Sequence, residues 1–144
     1  MNIVVDGKRY TNFISAEVDS RLDAISRHFS FVASTVTGVD QLPFRPGQEC
    51  EILVDDEKIM TGFVERIEFV TNDRGNTYTI SGRDKLADLV DSNLPGLSDT
   101  GVTVKQACER VLSFLQIDCK VIDLADTSSR PFKDEFDLVA PEPT

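Results

Sequence analysis

Up to about Asp91, apolar residues recur mostly at every second position, the pattern of half-buried strands. Ile3-Val4-Val5 is a short apolar run, and Asp6-Gly7 is a two-residue hairpin signal ahead of Lys8-Arg9-Tyr10. Within residues 12–22, Ile14, Ala16 and Val18 alternate with Ser15, Glu17 and Asp19. A bend is expected at Asp23-Ala24-Ile25-Ser26. Alternation then resumes with Phe29, Phe31 and Ala33 against His28, Ser30 and Ser34, and Val32 breaks it, which predicts a strand covered on both faces. Residues 35–47 read as a loop punctuated by Gly38, Pro43, Pro46 and Gly47. Cys50, Ile52 and Val54 begin a further strand, and Asp55-Asp56-Glu57 is a tight acidic turn out of it.

The pattern is densest over residues 58–91. A long β-branched and aromatic run over 58–70, a turn-forming Asn72-Asp73-Arg74-Gly75-Asn76 and a return strand over 77–80 predict a β-hairpin. Thirteen extended residues span about 40 Å, too long for one flat strand in a small domain, so a bulge or bend is expected at Gly62. Gly82 releases the second strand. Asp84 is placed to cap a short helix from Lys85, with Leu86, Leu89 and Val90 on one face. Phe29, Phe31, Phe63 and Phe69 are expected in the core. Bent strands joined by hairpins predict a mainly antiparallel β-barrel or sandwich, and that helix can close a barrel end.

Beyond Asp91 the pattern changes. Residues 93–101 are turn-rich and mark the expected boundary between a β-barrel domain over 1–91 and the start of a smaller α/β domain over 92–144, an α+β chain in all. Thr103 and Gln106 form a capping box. Val104, Ala107, Cys108, Val111, Leu112 and Leu115 then follow the spacing of one helix face, which predicts a half-buried amphipathic helix. Residues 117–124 read as a strand, whereas 125–144 are acidic and proline-punctuated, with no useful period.

The 144 residues, 40% hydrophobic and 28% charged, suit a globular chain, and no apolar run approaches the roughly 20 residues of a membrane span. A net charge of −10 disfavours a specific grip on nucleic acid, which needs clustered Lys and Arg. Cys50, Cys108 and Cys119 fit neither a disulfide framework nor a metal half-site and read as small buried thiols. His28 is the single histidine, and no G-x-S-x-G elbow or phosphate-binding glycine loop exists. Asp55-Asp56-Glu57 and Asp84 with Asp88 lack the alternating oxygens of a calcium loop and read as a turn and a helix surface. No catalytic, cofactor or metal residues are assigned. Phe44, on a proline-flanked loop, is the candidate exposed anchor between subunits, with a core role as the alternative. Arg83 is the candidate for pairing with an acid across a subunit contact, with an ordinary surface arginine as the alternative.

Three features in order carry a resemblance. They are Val5-Asp6-Gly7-Lys8-Arg9-Tyr10 with Phe13 and Ser15-Ala16-Glu17-Val18; Arg45-Pro46-Gly47-Gln48-Glu49-Cys50 leading to Thr61-Gly62-Phe63-Val64; and Ser81-Gly82-Arg83-Asp84 with Asp88-Leu89-Val90-Asp91. Together they resemble the baseplate hub proteins of Mu-like and P2-like contractile-tailed phages. The resemblance covers roughly the whole chain and is most specific up to Asp91. It implies a non-enzymatic homotrimer that joins the tail tube protein to the central spike protein around a channel. In such hubs two tube-type domains per chain make a pseudo-sixfold ring. The chain is then expected in the virion baseplate after folding in the host cytoplasm. DNA would pass through the channel without specific binding, and no stable membrane insertion is expected. The resemblance also implies that a further helix and strands follow Thr144, so the chain is expected to be an N-terminal segment. A type VI secretion spike is the related reading. A cytoplasmic β-barrel adaptor that binds a peptide or protein partner is the alternative from another class.

Overall fold

The computed structural model describes residues 1–34, 43–72, 75–94, 96–126, 130–133 and 136–138. The chain divides into two compact units, Met1–Ala87 and Asp88–Thr144. The expectations on residues 35–42, on turn positions 73 and 74 and on the terminal Pro141-Glu142-Pro143-Thr144 lie outside the described residues.

The first unit is one antiparallel sheet of seven strands. They are β1 (Asn2–Val5), β2 (Lys8–Tyr10), β3 (Ser15–Asp19), β4 (His28–Ser34), β5 (Glu49–Val54), β6 (Glu57–Asn72) and β7 (Gly75–Asp84), in the spatial order β2-β1-β5-β6-β7-β4-β3. Asp6-Gly7 closes the β1–β2 hairpin and Asp55-Asp56 the β5–β6 hairpin. All four residues have positive φ (51°, 75°, 48° and 67°), as a two-residue turn matched to strand twist requires.

The expected bend in the long strand is present, and it lets β6 serve two half-sheets. Its first part, Glu57 to Phe63, pairs with β5, and its later part, Gly62 to Asn72, pairs with β7. Register shifts leave Ile59 and Glu65 out of the ladder, one on either side of Gly62. At the crossing a Cβ on Gly62 would collide with the Arg83 carbonyl oxygen. One on Gly82 would collide with the Phe63 carbonyl oxygen and lie 2.8 Å from the Phe29 ring. Glycine is what lets the two backbones approach there.

The sheet is open, which corrects the expectation of a closed barrel. No ladder joins β2 to β3. Six successive antiparallel pairings separate them, so they run in the same direction, and only residues 11–14 lie between them. Four residues bridge at most about 17 Å. The sheet therefore rolls far enough for its edges to be linked by the chain, without hydrogen bonds across the gap. Phe13 fills that seam, with its ring 4.7 Å from that of Phe31.

Rolling the sheet puts inward-facing side chains of both halves into one core: Ile3, Val5, Cys50, Ile52 and Met60 from one side, Phe29, Phe31, Val64 and Ile80 from the other. Each large side chain buried there contributes about 1.5–3 kcal/mol. Phe63 is half-buried, whereas Phe69 is 63% exposed, against the expectation of a core residue. It keeps inward parity opposite Tyr78, but lies toward the hairpin end, where the sheet outruns its core.

The short helix α1 (Ala87–Asp91) begins two residues later than expected, and it buries Ala87 while Val90 is 54% exposed. In the second unit, α2 (Val104–Phe114) has the expected capping box. Gln106 N–H donates to the Thr103 hydroxyl (3.2 Å) and Thr103 N–H to the Gln106 side chain (2.9 Å). Ala107, Val111 and Leu112 are buried, but Val104 and Cys108 on the same stripe are exposed. Residues 117–124 form no strand; β8 (Leu97–Asp99) pairs instead with β9 (Phe136–Leu138). Three-residue strands are too short to register as a period in the sequence.

Because the crossing tolerates no Cβ, Gly82→Ala should lower stability by about 3 kcal/mol. Urea unfolding followed by circular dichroism measures it, and a loss below about 1 kcal/mol would show that the backbones separate easily.

Candidate functional site

Two features of the first unit stand out: a charged corner where β6 turns, and the strand edges that the rolled sheet leaves unpaired. At the corner the two residues outside the ladder each meet an arginine. Arg27 Nη1 donates to the Ile59 carbonyl (2.9 Å) while its Nε donates to Asp84 Oδ2 (3.2 Å). Arg83 Nε donates to both Glu65 carboxylate oxygens, at 2.9 and 3.0 Å.

Asp84 ends β7 and is buried, not on a helix surface as expected. Its Oδ1 accepts from the Ser26 hydroxyl (2.9 Å) and from Leu86 N–H (3.2 Å), so the expected capping role is present one turn before the helix proper. A carboxylate this deep is tolerable because every donor it needs has been brought to it. Sequence reading missed the cluster. Ser26 and Arg27 sit 58 and 57 residues from Asp84, and no local pattern joins them.

The candidate subunit-contact residues lie apart. Phe44 is 3% exposed and packs in the core with its ring 4.7 Å from Tyr10, so it takes the core alternative; the proline-flanked loop folds inward over apolar surface. Arg83 is half-buried on the outer face, paired within its own chain to Glu65.

The lone histidine, His28, stands opposite Asp19 and Arg83 in the ladders and helps line a shallow depression of about 190 Å³ with Asp19, Arg21, Ala24 and Ser26. Arg21 is paired to Asp19 at 2.9 Å and the Ser26 hydroxyl is committed to Asp84, so this depression is held by structural contacts. Among the described residues no three His, Cys, Asp or Glu side chains converge as a metal site. Of the cysteines only Cys50 is buried; Cys108 is exposed and Cys119 half-buried, which corrects the expectation of three buried thiols.

The edges are the larger feature. Among the described residues, β3 pairs only with β4, and beyond Val64 β6 pairs only with β7. Val64 itself exchanges bonds with Gly47 and Gln48, after which eight residues of β6 present one unpaired side. Phe69 and Val70 lie on this stretch, 63% and 48% exposed. A long edge with exposed apolar side chains is a template for another strand unless something covers it.

Comparison with known proteins places this architecture. Residues 1–84 match the family described as Mu phage baseplate assembly protein GpP-like, N-terminal. The chain belongs to that family. Over 86 residues it is 24% identical to baseplate hub protein gp44 of Escherichia phage Mu, a match that covers 60% of this chain and 23% of gp44. Two solved structures are similar in fold over 96% of the chain. The tail protein from Neisseria meningitidis MC58 has a TM-score of 0.79 at 24% identity, with 40% of its length covered. The 43 kDa tail protein of prophage MuSo2 from Shewanella oneidensis has a TM-score of 0.73 at 25% identity, with 44% covered. The chain thus spans less than half the length of these relatives. The family is a structural component of phage baseplates.

Burial, with the Glu49 charge adding to it, pushes the Cys50 thiol up to about 12. A raised folded-state value means that the stabilisation is complete below the ordinary thiol range and is lost as pH climbs toward about 12. The denaturant midpoint should therefore fall between about pH 9 and about pH 11, and less steeply in Cys50→Ala. Equal slopes would assign the loss to other groups.

Proposed function

We propose that this chain forms the tube-type portion of a trimeric baseplate hub, which joins the tail tube to the central spike around a channel. The observation that carries the reading is the pair of edges, β3 and the later part of β6, that stand unpaired among the described residues on opposite sides of one half-sheet in a protein of a baseplate family. Edges that differ from one another suit heterologous contacts, which form rings where the rotation closes, better than a self-complementary dimer. A second tube-type domain in each full-length protein would bring three chains to a pseudo-sixfold ring, matching a sixfold tube above and a threefold spike below. The role is mechanical: symmetry adaptation, a continuous passage, and transmission of force when the sheath contracts.

The net charge of −10 accords with a wall that does not hold DNA in passage. Arg83 and Glu65 sit where β6 leaves the β5 ladder, next to the unpaired edge. In this reading the Arg83–Glu65 pair borders the contact, and Phe44 supports it from within the core. Assembly takes place in the host cytoplasm and the finished hub resides in the virion tail.

At its natural full length the protein should have the mass of three chains by light scattering after size exclusion, with a stain-filled centre in negative-stain images. A monomer at that length would overturn the hub and favour an adaptor. Phe69→Lys, which places a charge on the β6 edge, should shift the assembly toward monomer by at least tenfold in dissociation constant with the unfolding midpoint unchanged. Arg83→Ala should cost less than about 1 kcal/mol in the isolated chain, since a solvent-screened pair on the outer face is worth little there. A loss of ring formation larger than that cost, read by the same scattering, would mark Arg83 as an interface residue.

A further inference from the structure

We propose that Asp84 is a polar latch that fixes how the chain leaves the sheet toward the second unit, and that it opens locally while the sheet stays folded. The inference rests on the geometry of one chain and does not depend on the hub reading. Asp84 stands at the end of β7, and the junction between the units falls three residues later, after Ala87. Its carboxylate gathers donors from Ser26, Arg27 and Leu86, and two backbone bonds accompany them. Asp84 N–H donates to the Arg27 carbonyl (3.0 Å) and Lys85 N–H to the Thr61 carbonyl (3.3 Å). The Leu86 bond therefore runs from the departing segment straight to a side chain anchored in the sheet.

The kind of force at work there differs from the rest of the unit. The last member of β7 in the apolar core is Ile80; Ser81 and Arg83 face outward, and Gly82 has no side chain. From Ser81 to Ala87 the chain is held by ladder bonds, by the Asp84 cluster and by the Arg83–Glu65 and Lys85–Glu49 ion pairs; Leu86 is half-buried and Ala87 buried, both outside that core cluster. Releasing the cluster leaves the core of Phe29, Phe31, Ile3 and Ile52 untouched. The Arg27 side chain is 38% exposed, so its guanidinium is already partly hydrated when it lets go. Low apolar contact and solvent-reachable polar bonds are the marks of a segment that opens below the global unfolding threshold.

Amide hydrogen exchange on the whole chain tests this. In the unmodified chain Leu86 and α1 should exchange at least tenfold faster than Phe31 and Ile80, and Asp84→Asn, which keeps shape and removes charge, should accelerate them at least tenfold further. Ser26→Ala, which removes one donor and leaves the Arg27 pair, should move the same amides in the same direction by less. Should Asp84→Asn fail to fold, Ser26→Ala carries the test. Protease cleavage within residues 88–101 should rise in step. Equal exchange at Phe31, Ile80 and α1 in the unmodified chain would make Asp84 a part of the global fold, and no acceleration at α1 in Asp84→Asn would remove the latch; either overturns the proposal.

Discussion

The close crossing of two backbones at Gly62 and Gly82 is the constraint on which the first unit depends. One strand, β6, has to pair with β5 and then with β7, and these partners belong to half-sheets that face each other across the core. A strand can turn that corner only if its twist is sharpened and nothing bulky stands at the crossing. The extra residues at Ile59 and Glu65 supply the first condition and the two glycines the second. Given the corner, the alternating apolar residues of β1, β4, β5 and β7 meet in a single core.

Turning a corner also frees a backbone carbonyl that a flat ladder would satisfy, and two arginines fasten the place. Arg27 takes up the carbonyl of Ile59, and Arg83 holds the carboxylate of Glu65. The first pairing draws in Asp84, which would be costly at that depth without its donors. Charge at the corner therefore has a geometric origin. Asp84, expected on a helix surface, is part of the fastening of the bend, whereas Asp55-Asp56 form the expected turn and Asp88 is exposed on α1.

The same bend explains why the protein is suited to assembly. Among the described residues β6 parts from β5 after Val64 and its later half then pairs only with β7, and β3 pairs only with β4. A fully closed barrel would have no edges to offer. Membership of a baseplate family fits a chain whose notable surfaces among the described residues are edges.

By itself the sequence determined what depends on near neighbours. The alternating strands, the Asp6-Gly7 and Asp55-Asp56 turns, the need for a bend near Gly62, and the Thr103–Gln106 capping box all follow from spacing and backbone preference within a few residues. The order of its motifs also pointed to the family. Only the tertiary structure decided what depends on distant residues. It gathered Ser26 and Arg27 at Asp84 across 58 and 57 residues, took Phe44 into the core, left Phe69 in solvent, kept the barrel open, and paired β8 with β9 where no strand was expected. Periodicity says which face a side chain is on. Whether that face is covered depends on how far the neighbouring strands extend, and that is a property of the assembled sheet.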